Sequence, residues 1–301
     1  MTEVMDESTF SFPSADGTDI VVRRWSGADA EAATGVVQIA HGMGEHSARY
    51  RRLAGVLVAN GWLVYAPDHR GHGRSALGLD GDGALEALGQ FGPGGWNGLV
   101  DDVLRLDRRI GQDHPGLPRV LLGHSMGSFA AQQLALDHSD EIDGLVLSGT
   151  TAVDLAATAL DPEAETDLSA FNAAFEPART PFDWLSRDEA EVDAYVADPW
   201  CGFGIDREAT AGLVEAAPRL GDPEALAGIR SDLPVYVVAG SADPLNLGLA
   251  LLDLLVQRYR DAGLVDISTD YHSEARHEVF NETNRDEITD HLVAWLARFS
   301  S

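Results

Sequence analysis

The chain contains no lysine; all 21 of its basic residues are arginine. That excludes every chemistry built on an ε-amino group, among them Schiff-base formation, the phosphate-binding lysine of a Walker A loop and a Ser-Lys dyad. Basic charge is scarce altogether, 21 residues against 49 acidic ones, for a formal charge of −28 and a pI near 4.4. Long-range repulsion therefore opposes nucleic acid and anionic membranes as partners. The simplest meaning of the acidity is solubility. Cysteine is limited to Cys201, which rules out an internal disulfide and a multi-cysteine metal cluster. No apolar run is long and uninterrupted enough to span a bilayer, and the acidic start Met1 to Glu7 lacks the positive and apolar regions of a secretory signal. The expected location is the cytoplasm.

What the chain does have is enough apolar matter for a large core, 45% of 301 residues, without help from metals or disulfides. Short apolar runs alternate with helical patterns, the signature of a mainly parallel sheet covered by helices. Residues 8–12 and 19–25 read as a first hairpin, and 36–40, 62–66, 119–122, 144–148, 233–239 and 265–271 as later strands. Helices are expected near 47–60, 101–110, 247–262 and 284–299. The stretch between 148 and 233 has a different texture, with few strand-like runs and many aromatics and prolines, such as Phe171, Pro181, Trp184 and Trp200. A structureless loop of that length would be unusual, so a helical subdomain is expected there, placed to roof a site. The resulting division is a core from 1–150 and 233–301, with a helical cap at 151–232.

The most informative segment is Gly123-His124-Ser125-Met126-Gly127, between a strand-like run and a helix-like one. A serine on a sharp strand-to-helix turn is an exposed nucleophile candidate, and the glycines suit a turn with little room for a Cβ. A serine hydroxyl needs a base, and the base needs a carboxylate to hold its tautomer. Asp243, directly after a buried-looking strand, would stand at the carboxyl edge of the sheet where open α/β folds form sites. Asp270 is its competitor, too close in sequence to the candidate histidines. His277 lies between the last strand and the last helix, on a loop able to reach both Ser125 and Asp243. His272 comes at a strand end and His291 falls in the terminal helix. His41-Gly42-Met43-Gly44 follows the strand at 36–40 and could turn the Met43 N–H toward an oxyanion, with the Met126 N–H as second donor. His41 is expected to hold this loop rather than to move protons.

Four segments together, His41-Gly42-Met43-Gly44-Glu45-His46-Ser47-Ala48-Arg49-Tyr50, Asp68 to Ser75, Gly123 to Gly127, and Ala275-Arg276-His277-Glu278 with Asn281-Glu282, closely resemble monoacylglycerol lipases and lysophospholipase-like members of the serine aminopeptidase S33 group of α/β-hydrolases. The resemblance covers about residues 8–300. It implies an α/β-hydrolase fold with a mostly parallel eight-stranded sheet and an inserted helical cap. It puts the nucleophile on Ser125, the acid on Asp243, the base on His277 and the oxyanion donors on Met43 and Met126. It implies no cofactor and no metal, a small apolar ester as substrate, and Arg70 and His72 as structural braces. Cys201 is reminiscent of a pocket-lining cysteine of these lipases, and a lone buried cysteine is usually a small hydrophobe.

The reaction expected is hydrolysis of carboxylic esters through an acyl-enzyme, with monoacylglycerols or similar small monoesters as substrates. Xenobiotic esters such as phthalates stay open, because an apolar pocket discriminates weakly among similar groups. An aminopeptidase or amidase would need a cap carboxylate for a substrate ammonium, for which Glu189, Glu191 and Asp193 are the candidates. A perhydrolase or carbon–carbon hydrolase shares the serine, and a non-catalytic binding protein on the same fold would tolerate loss of a triad member. A transient contact of the cap with lipid is also left open, as is the oligomeric state.

Overall fold

The computed structural model describes residues 5–300; Met1 to Val4, the first part of the acidic start, and Ser301 lie outside the described residues. Eight strands, β1 (Asp6–Pro13), β2 (Asp19–Ser26), β3 (Gly35–Ala40), β4 (Trp62–Pro67), β5 (Arg119–His124), β6 (Gly144–Ser148), β7 (Val235–Gly240) and β8 (Ile267–His272), form one sheet in the order β1-β2-β4-β3-β5-β6-β7-β8. The hairpin β1–β2 and the β2–β4 pair are antiparallel, and from β4 to β8 every pairing is parallel. This is the α/β-hydrolase fold with an inserted helical region.

The helices are α1 (Arg51–Ala59), α2 (Gly73–Leu77), α3 (Gly95–Asp113), α4 (Met126–His138), α5 (Val153–Ala156), α6 (Glu189–Ala197), α7 (Arg207–Ala216), α8 (Pro223–Leu226), α9 (Ala250–Asp261) and α10 (Arg285–Leu296). β3, β4, β6 and β7 are buried at every position, as expected of strands covered on both faces. Alternate residues of a strand serve opposite layers. Leu121, Leu145 and Leu147 pack with Leu99, Leu134 and Leu255 under α3, α4 and α9. Val120, Leu122 and Val146 pack with Leu57, Leu292 and Trp295 under α1 and α10. Between β6 and β7 the regular elements are all helical, short α and 3-10 segments joined by irregular loops, as the composition suggested.

Several boundaries differ from the pattern reading. The segment 47–60 is a 3-10 turn at Ser47–Tyr50 followed by α1. The helix expected from 247 begins at Ala250, because Leu247 and Leu249 both take left-handed φ values, 50° and 77°. The helix read at 101–110 runs from 95 to 113, and β8 ends on His272, which is therefore a strand residue.

Candidate active site

β5 delivers Ser125 into a strained turn with φ 51° and ψ −122°, and α4 begins at the next residue. Only a backbone over-determined on both sides holds a non-glycine residue there. The flanking glycines supply that constraint by close approach. A Cβ on Gly123 would meet the Gly127 carbonyl oxygen at 2.6 Å, and one on Gly127 would run into the Ala40 carbonyl. The Ser125 N–H donates to the Ser148 carbonyl at 2.9 Å, tying the turn to the end of β6.

His277 stands on the loop after β8, and its Nδ1 lies 2.9 Å from Asp243 Oδ2 on the loop after β7. A carboxylate only accepts, so Nδ1 carries the proton and Nε2 presents its lone pair. Among the described residues Nε2 has no hydrogen-bond partner, and His277 and Ser125 line the same small cavity. The Trp184 ring packs against the imidazole with centroids 4.7 Å apart. Burial alone would lower the His277 pKa, but the charge and hydrogen bond of Asp243, with help from Glu278 and Glu45, outweigh it and raise it. For neighbouring His124, burial and the facing His277 outweigh the more weakly felt charges of Glu45, Glu278 and Asp243, and its pKa drops to about 4.

The loop after β3 is pinned amide by amide. Gly42 donates to Glu45 Oε1 at 2.6 Å and Gly44 to His72 Nε2 at 3.3 Å, with Met43 between them. Met126 opens α4, so its N–H has no intrahelical acceptor. Met43 and Met126 both line the cavity beside Ser125. Beneath the loop, His41 Nδ1 bonds the Gly42 carbonyl at 2.7 Å and its Nε2 accepts from the His69 N–H at 3.0 Å. Burial holds His41, His69 and His72 below the usual imidazole range, His72 at about 3, and the rings of His41 and His72 serve as neutral struts. Arg70 braces from further back through Asp102 and Asp16, each at 2.9 Å.

A family model described as serine aminopeptidase, S33, matches residues 31–284. The chain belongs to this family of α/β-hydrolases. It is 34% identical over 294 residues to a monoacylglycerol lipase of Mycolicibacterium smegmatis, covering 96% of each chain. It is 32% identical to the human monoglyceride lipase over 90% of this chain and 87% of that one. Among solved structures, a thermostable carboxyl esterase from Bacillus coagulans superposes with a TM-score of 0.86 at 26% identity, covering 99% and 100% of the two chains. The chemistry of such a member is serine-dependent hydrolysis of carboxylic esters.

The family's sequence pattern does not by itself show what Glu45, Arg49 and Glu278 do together. Arg49 reaches Glu45 Oε2 at 2.8 Å and grips Glu278 with two bonds of 2.6 and 2.8 Å, all three side chains being nearly inaccessible. Tyr50 adds its hydroxyl to Glu45 Oε1 at 2.8 Å. Burial works to raise the Glu45 pKa, but Arg49 and the nearby imidazoles bring it down to about 2. This bridge joins the loop of Met43 to the residue following His277. The only sequence signal for it was the i, i+4 spacing of Glu45 and Arg49.

The carboxylates considered for an ammonium substrate are elsewhere. Glu191 and Asp193 pair with Arg285 and Arg179, and neither they nor Glu189 lines the catalytic cavity. Cys201 packs beside Phe182 and Tyr195, and burial pushes its thiol well up, so it behaves as a small apolar filler.

Proposed function

We propose that the protein is a monoacylglycerol lipase in which Ser125 is the nucleophile, His277 the base, Asp243 the orienting acid, and the Met43 and Met126 N–H groups the oxyanion donors. The observation that carries the substrate class is a cavity of about 710 Å³ that adjoins the catalytic one and shares Phe129, Leu160, Phe171, Leu213 and Leu245 with it. Ligand cavities run about 300–1,000 Å³, so there is room for a long acyl chain, each buried CH₂ contributing about 0.8 kcal/mol. Its mouth carries the exposed Leu155 and Leu247, and the charged residues around it, Asp161, Glu165 and Asp167, are all acidic. A neutral ester enters such a mouth without electrostatic cost, and an anionic lipid does not.

In the proposed reaction Nε2 of His277 takes the Ser125 proton as Oγ attacks the ester carbonyl, and the two N–H groups hold the oxyanion. The imidazolium returns the proton to the departing glycerol. Water, deprotonated by the same nitrogen, then releases the fatty acid and restores the serine. Residues 151–232 are proposed as the cap and 1–150 with 233–301 as the core, the cap contributing Leu160, Phe171, Trp184 and Leu213 to the cavity walls. Leu155 of the cap, with Leu247 of the core across the mouth, gives the cap a transient foothold on neutral lipid. Among the described residues no helix is long and apolar enough to cross a membrane. The proposed compartment is the cytoplasm, checked by fractionating cells.

Hydrolysis of a panel of monoacylglycerols of graded chain length, short aryl esters, phthalate esters and amino-acid arylamides, with Ser125→Ala as background, tests the reading. A preference for medium or long monoacylglycerols is expected. A preference for aryl or phthalate esters would make the protein a carboxylesterase of narrower pocket use, and arylamide preference would overturn the substrate class.

A further inference from the structure

The outer edge of the sheet carries a second gathering of histidine and carboxylate, away from the serine. Asp270 and His272 are two residues apart on β8, so both side chains leave the same face of the strand. α10 covers that face and brings His291 to it. Asp270 Oδ2 is the common point, 3.0 Å from His291 Nδ1, 3.0 Å from His272 Nε2, and accepting the Tyr236 hydroxyl at 2.6 Å.

The contact with His272 is short without being a hydrogen bond. Its Nε2 is buried and has no partner of hydrogen-bonding geometry among the described residues, and the residue is only 8% exposed. A buried polar atom left unsatisfied calls for an explanation, and service as a ligand to a bound ion is one. The three donor atoms of Asp270, His272 and His291 all lie within 4.8 Å of one another. The carboxylate is oriented from outside by Tyr236, whose ring stacks on Trp295 of α10 with centroids 5.4 Å apart. Metal-binding carboxylates are commonly held by such an outer hydrogen bond. The His291 side chain is 49% exposed, which leaves an entry path and room for water to complete a coordination shell.

We propose that Asp270, His272 and His291 form a binding site for a divalent transition-metal ion of the zinc type, clamping the edge strand β8 to α10. Two imidazoles and one carboxylate suit Zn²⁺ and its neighbours, whereas Ca²⁺ and Mg²⁺ require oxygen ligands. None of the three residues lines the catalytic cavity or the larger one beside it. The site is structurally adjacent to the catalytic loops all the same, since the His272 carbonyl accepts the Ser241 N–H at 2.9 Å, just ahead of Asp243.

A rival cluster of donors, His46, Asp198 and Cys201, is less suited. Both clusters contain a histidine already bonded to the carboxylate, but in this one burial pushes the Cys201 thiol away from the thiolate that a metal needs, and no histidine nitrogen is left buried without a partner.

The experiment is a calorimetric titration of Zn²⁺ into the full chain after treatment with a chelator and dialysis, with Co²⁺ absorption as a coordination readout. One saturable equivalent and a rise in Tm of several degrees at excess Zn²⁺ are expected, with no comparable effect of Ca²⁺. His291→Ala and Asp270→Asn, checked for fold by circular dichroism, should each weaken Zn²⁺ by about tenfold or more and abolish the Tm rise. His46→Ala should leave both intact. Absence of saturable Zn²⁺ binding, binding unchanged in both His291→Ala and Asp270→Asn, or loss in His46→Ala instead would overturn the proposal.

Discussion

Two imidazole–carboxylate pairs stand on neighbouring loops and strands of this protein, His277 with Asp243 and His272 with Asp270, at 2.9 and 3.0 Å. In the first, the carboxylate takes Nδ1 and leaves Nε2 pointing into a small cavity shared with Ser125. In the second, the carboxylate faces Nε2 itself, is shared with Tyr236 and His291, and looks out over the sheet edge. The same two functional groups are thus presented for different chemistry according to which nitrogen is occupied and what the other one meets. The first pair stands on the loops beyond the carboxyl ends of β7 and β8 and the second within the edge strand β8 itself, and that difference in place decides it.

The sharpest break between the pairs is mutational. Ser125→Ala and His277→Ala are each expected to lower kcat/KM for a monoacylglycerol by at least about a thousandfold with Tm little changed, as for members of a cooperative triad. His272→Ala should cost no more than about threefold in the absence of added metal; equal losses at 272 and 277 would erase the distinction.

Next in size is the brace that only the first pair possesses. Arg49→Met leaves Glu45 and Glu278 buried without their cation, and an unfolding loss of about 3–5 kcal/mol is expected from denaturant titration. A loss below about 1 kcal/mol would mean that the carboxylates find water or protons instead. A smaller effect follows in the larger cavity, where Ala156→Trp, at a position that lines that cavity and not the catalytic one, should reduce turnover of long acyl chains about tenfold while sparing a short ester. Uniform loss across chain lengths would place the acyl group elsewhere.

The smallest expected effect is a pH shift. In the proposed reaction His277 has to be neutral to accept the serine proton, and its pKa is raised above the usual 6.5, so activity should climb with pH through a midpoint above 6.5. Removing a negative neighbour with Glu278→Gln favours the neutral imidazole and should move that midpoint downward by a fraction of a unit to about one unit. A midpoint that stays put or rises would show that Glu278 does not act on His277 through its charge.

Much of this candidate site was legible before any fold was known, because its parts are local. The strained elbow at Ser125 announces itself through glycines on either side, where a Cβ would strike backbone. Asp243 and His277 follow from chain order and from their places after strands. The bridge from Glu45 through Arg49 to Glu278 was not legible, since 229 residues separate Arg49 from Glu278 and nothing local marks the pair. Nor was the late start of α9, where left-handed Leu247 and Leu249 override an apolar pattern that continues through them. Those two residues are turned out of the helix, and Leu247 is left 70% exposed at the cavity mouth.

Strand and helix order, the turn that exposes a serine, and the absence of any ε-amino chemistry were determined by the sequence alone, because each depends on residue type and on neighbours a few positions away. Which nitrogen of which histidine stays free, how three buried charges balance one another, and how wide a cavity opens beside Ser125 were decided only by the tertiary structure. Those properties depend on distances of a few ångströms between segments far apart in the chain, and packing alone sets them.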